Sequence, residues 1–90
     1  MLSDAQFWAV VNSQRFQKKF RGQHPLLPDN GGVDFYNVQS LKVRIDHAKD
    51  RLAAASDPKN RALSQRFLNT LNSWLLQVQW VNDNPLYVVD

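Results

Sequence analysis

Residues 38–58 constrain the fold more than any other stretch of the chain. Val38, Leu41, Ile45, Ala48, Leu52 and Ala55 follow one another at steps of three and four. That spacing keeps one apolar seam on a single helical face for almost three heptads. Lys42, Arg44, Asp46, Lys49, Asp50 and Arg51 lie off that seam. Ser56-Asp57-Pro58 then stops it and opens the next one. Asp57 suits an N-cap, and Pro58 suits the first helical position, where a missing N–H costs nothing. So short a turn folds the two helices into an antiparallel hairpin. Asp34 is the expected N-cap of the first, with Phe35 and Tyr36 in its opening turn, so the hairpin is expected over about 34–56 and 58–82.

In the second arm Leu63, Phe67, Leu71, Trp74, Val78 and Val81 repeat at heptad-like spacing, with Leu68 and Leu75 widening the stripe. This side is expected to pack on the Val38–Ala55 seam. Leu76 and Trp80 fall elsewhere, about 140–180° around the helix from Leu71 at 100° per residue. A further helix is expected over about 3–21. Ser3 and Gln6 have the spacing of a reciprocal capping box, and Gly22 and Pro25 mark its end. Phe7 and Val11 lie on one of its faces; Ala5, Ala9, Phe16 and Phe20 lie on another. Either the helix kinks near Asn12-Ser13, whose side chains compete with the backbone for hydrogen bonds, or it is buried on two sides. The second is the reading preferred. Residues 23–33 form a turn-rich loop that Leu26 and Leu27 pin to the core. Pro85 opens an extended, apolar C-terminal tail. The expected architecture is all-α: one three-helix domain over residues 1–90.

Composition excludes several functions for such a domain. Cysteine is absent, and all eight acidic residues are Asp. A disulfide scaffold, a zinc-thiolate finger, a thiol nucleophile and a Glu-based acid or metalloprotease site are therefore ruled out. No serine sits in an elbow flanked by glycines, and Gly31-Gly32 lacks the continuation of a phosphate-binding loop. Asp46, His47 and Asp50 are neighbours on one helix, but a metal needs three or four ligands and His24 lies in a distant loop. They read as a charged helix face. The chain is expected to be non-enzymatic, with no cofactor. The longest uncharged run, residues 67–82, is too short and too rich in amides to cross a bilayer. No signal peptide is recognisable, so a cytoplasmic location is expected.

Two surfaces remain as candidate sites. The first is the uncharged run itself, where a solvated helix normally carries Lys, Arg or Glu. Loss of charge with aromatic residues retained is typical of an interface core. Leu76, Gln77 and Trp80, with Leu86, Tyr87 and Val88 of the tail, would form it. The competing reading is that the chain covers this face itself. The second surface is basic: Arg15, Lys18, Lys19 and Arg21 hold four positive charges within seven residues, more than the net +3 of the whole chain. Arg44 and Lys49 could extend it. Such a face attracts phosphates, although the cations also offset a helix dipole. Two functions are thus expected. The leading one is a protein-interaction module, self-associating, that acts as a small adaptor or inhibitor by occluding or bridging a protein partner. The alternative is a basic-face binder of nucleic acid, a nucleotide or another phosphate ligand.

Overall fold

A computed structural model describes residues 2–85. All regular secondary structure among them is helical. Helix α1 spans Asp4–Val11, α2 spans Gln14–Lys19, a single 3-10 turn covers Pro28–Asn30, α3 spans Val38–Ala54 and α4 spans Pro58–Asp83. The capping box at Ser3 is formed: the Gln6 N–H donates to Ser3 Oγ at 3.2 Å, and the Ser3 N–H donates to Gln6 Oε1 at 3.0 Å. Asp57 caps α4 by accepting from the Asn60 N–H at 3.3 Å, with Pro58 at the first helical position. Helices α3 and α4 pack against each other as the antiparallel hairpin that the seam requires. Leu41, Ile45 and Ala48 of α3 and Leu68, Leu71, Trp74, Val78 and Val81 of α4 are buried in one core.

Three expectations about the helices are corrected, and of the loop pair only Leu26 is pinned to the core, while Leu27 is 48% exposed. The N-terminal segment is not one helix buried on two sides. It breaks at Asn12-Ser13, and Ser13 is extended at φ −68°, ψ 155°. Its hydroxyl takes over the bonding of the broken turn, donating to the Val10 carbonyl at 2.7 Å and accepting from the Phe16 N–H at 3.3 Å. The break lets Phe7, Val10 and Val11 of α1 and Phe16 of α2 all reach the core, while Ala5 and Ala9 stay exposed. Two faces of a straight helix become one face of a bent one.

The second correction concerns the start of α3. Its N-cap is Asn37, not Asp34; Asn37 Oδ1 accepts from the Gln39 N–H at 2.8 Å and the Ser40 N–H at 3.4 Å. Residues 33–36 form a turn in which Phe35 and Tyr36 donate to the Gly32 carbonyl. That turn places Tyr36 in the middle of the molecule, with no exposed surface. Its ring stacks on Phe7 at 6.3 Å and meets Trp8, Phe35 and Trp74 edge-on at 5.7, 5.0 and 5.4 Å. Its hydroxyl donates to the Leu27 carbonyl at 3.0 Å and accepts from the Leu27 N–H at 2.9 Å. Four aromatic contacts and two hydrogen bonds at one residue outweigh one more helical turn. Gly31 enables the approach: its φ is 125°, and a Cβ there would lie 2.7 Å from Phe35 Cβ.

The third correction is at the far end of the hairpin. Leu63 and Phe67 are half exposed, at 53% and 49%, although their spacing assigns them to the packed stripe. The cause is length. The 26 residues of α4 run about 39 Å, whereas the eight of α1 run about 12 Å. The aromatic turn extends the cover as far as Phe35 on Trp74, 5.8 Å away. Beyond that point the hairpin has two layers where the near end has three.

Candidate protein-interaction surface

The uncharged run of α4 is largely occupied within the chain. Ser73 Oγ donates to Gln23 Oε1 at 2.9 Å. Trp74 Nε1 donates to the Pro25 carbonyl at 3.2 Å, and Gln77 Nε2 donates to the His24 carbonyl at 2.6 Å and to Ser73 Oγ at 3.2 Å. Ser73 and Gln77 are buried, at 6% and 1% exposure. The loop after α2 is therefore stitched to α4 by uncharged donors. A Lys or Glu at these positions would carry a buried charge with no partner, which accounts for Ser73 and Gln77. Trp80 is half-buried against Phe16 at 5.9 Å and Phe20 at 6.1 Å, both edge-on.

Of the residues singled out on this face, Gln77 belongs to the interior and Trp80 to the packing of α2. Leu76 alone stands out, at 58% exposure. Leu86, Tyr87 and Val88 lie outside the described residues.

A second apolar surface was hidden inside the expected core stripe. Where the third layer ends, a groove runs between α3 and α4. One part, about 150 Å³, is lined by Ala48, Arg51, Leu63, Ser64 and Phe67. The other, about 290 Å³, is lined by Val43, Arg44, His47, Ala48, Arg51 and Phe67. The two share Ala48, Arg51 and Phe67, so they adjoin along the hairpin. Ala48 is buried and makes the floor. Half-exposed Val43, Leu63 and Phe67 stand beside it. Arg44 is held at one end by its guanidinium, 4.5 Å from the centroid of the Phe35 ring. None of the lining residues is acidic.

Periodicity could not separate Leu63 and Phe67 from core residues, because they obey the same spacing. Val43 lies off the seam of α3 and was not singled out at all. A comparison of lengths was the one available signal: a covering segment that ends near residue 21 has to reach along a helix ending near residue 58.

The basic residues are all on the surface. Arg15, Lys18, Lys19 and Arg21 are exposed on and just after α2, as are Arg44 and Lys49 on α3. Lys19 Nζ lies 5.9 Å from the Phe20 ring centroid. Asp46, His47 and Asp50 are exposed on α3, and the described residues contain no group of three or more potential ligands placed to hold a metal ion. No helix among the described residues is long and apolar enough to cross a membrane. The chain matches no protein-family model, no curated protein and no solved structure.

Proposed function

We propose that the chain is a non-enzymatic protein-interaction module, a small adaptor or inhibitor that works by presenting one face of its hairpin. The observation that carries this reading is the groove between α3 and α4. Val43, Leu63 and Phe67 are large apolar side chains left about half in water, and Phe67 shares a depression with each of the other two, whereas the similarly exposed Leu27 and Leu76 line neither. Exposed apolar residues scattered singly need no explanation; a contiguous set beside a depression does. Covering the exposed half of each would contribute on the order of 1 kcal/mol, half of the gain from burying a whole side chain. Three such residues around Phe67 give the small energetic centre typical of an interface. Leu76 offers a second, smaller contact point, and self-association through it and Trp80 remains part of the proposal.

The test is retrieval of partners by the purified chain, compared with a Leu63→Asp/Phe67→Asp variant. A protein retained by the wild type and lost with the double variant is the expected result. The alternative reading, a phosphate binder, draws on the surface placement of all four cations on and after α2. If it holds instead, the retained material is nucleic acid. It is then released by salt and by Lys18→Ala/Lys19→Ala, and is indifferent to the groove.

A further inference from the structure

We propose that the groove between α3 and α4 takes an amphipathic helix of a partner protein, apolar along one side and acidic along its edges. This rests on the interaction reading above and adds the chemistry of the partner.

The shape comes from the layers of the fold. Near the chain termini, α1 and the Phe35-Tyr36 turn lie across the hairpin and complete a three-layer core. Beyond Phe35 the same face continues over Ala48 and Phe67 with no described residue across it. The vacant position continues the third layer, and a helix is the element that fills such a position between two others. Apolar side chains at i, i+3 or i+4, and i+7 of an incoming helix would meet Val43, Phe67 and Leu63.

The charge comes from the rim. Arg44 and Arg51 border the groove on the α3 side, His47 lies between them, and no lining residue is acidic. A helix seated on Phe67 brings its flanking positions over these cations. Carboxylates there form charge-assisted hydrogen bonds with the guanidinium groups, and lysines there are repelled. The same rim argues against a second copy of this chain. A two-fold contact through the groove would set Arg44 and Arg51 against their own symmetry mates. The acidic pair on α3, Asp46 and Asp50, comes interleaved with Lys42 and Lys49, so it offers no acidic edge to a head-to-tail contact either.

The test selects helical peptides of about 18 residues on the full-length chain. Their apolar stripe is fixed, and their flanking positions are free to be Glu, Gln, Ala or Lys. The expected outcome is enrichment of Glu over Lys at the flanks. A selected peptide should bind Phe67→Asp at least tenfold more weakly, and Arg51→Glu, a change at an exposed position, should reverse the Glu preference. Circular dichroism of both variants keeps a folding defect from passing as a binding defect. Retention of no peptide, or of peptides that bind Phe67→Asp as tightly as the wild type, overturns the proposal. Peptides that need Phe67 but show no Glu preference overturn the acidic chemistry and leave the interaction reading standing. A dimer by light scattering that dissociates with Phe67→Asp also overturns it, by assigning the groove to a second copy.

Discussion

Gln77 carries more of the architecture than its polarity suggests. It is nearly fully buried in the C-terminal part of α4, and its amide donates to the His24 carbonyl and to Ser73 Oγ. Replacing it with Leu keeps the volume and removes both donors, so the His24 carbonyl loses its partner from α4. That bond is part-buried, so its loss belongs at the low end of the penalty for an unsatisfied acceptor, about 1 kcal/mol. Gln77→Leu should therefore lower the melting temperature by roughly 5 °C or more, read by thermal unfolding followed at 222 nm. Leu76→Gln, one residue away but exposed, should move it by no more than about 2 °C. Equal stability of wild type and Gln77→Leu would mean that the loop is not anchored on α4. Sequence alone leaves this residue ambiguous. An uncharged amide on a helix is the same letter whether it faces a partner protein or a backbone carbonyl of its own chain, and only the path of residues 23–25 decides between them.

At the level of elements, legibility followed the range of the interactions. The hairpin, the Ser3–Gln6 box and the Asp57-Pro58 start of α4 depend on residues three or four apart, so local spacing specifies them. The break at Asn12-Ser13 depends on a competition. A continuous helix would keep its intrahelical bonding across residues 12–16; the broken one gains the buried face of Phe7, Val10, Val11 and Phe16. Ser13 tips the balance because its hydroxyl replaces bonds that the break removes. Ser13→Ala should cost about 0.5–2 kcal/mol, the usual value of an N-cap hydroxyl, and the urea midpoint should fall accordingly. An unchanged midpoint would show that tertiary packing alone holds the bend. The false start at Asp34 has a similar origin. Asp34 and Asn37 are both competent caps three residues apart, and the burial of Tyr36 selects the later one.

For the whole molecule, the governing fact is a mismatch of lengths. A hairpin whose longer arm spans about 39 Å is covered on one face by α1, α2 and an aromatic turn that stop short of its distal end. The covered half accounts for the uncharged Ser73, Trp74 and Gln77 of α4, and the uncovered half leaves Val43, Leu63 and Phe67 in water near Arg44 and Arg51. Heptad spacing assigned both halves to one core, since a stripe records which face is apolar and not how far the covering layer extends. The account places the contact surface at the uncovered half. Site-specific photocrosslinking measures this directly, with a benzophenone side chain introduced at position 67 in one sample and at position 76 in another, each exposed to an extract of the source cells. The account predicts a discrete adduct with an extract protein from position 67 that is diminished by Arg51→Glu, and from position 76 at most an adduct with a second copy of the chain. Adducts from position 76 with none from position 67 would contradict it.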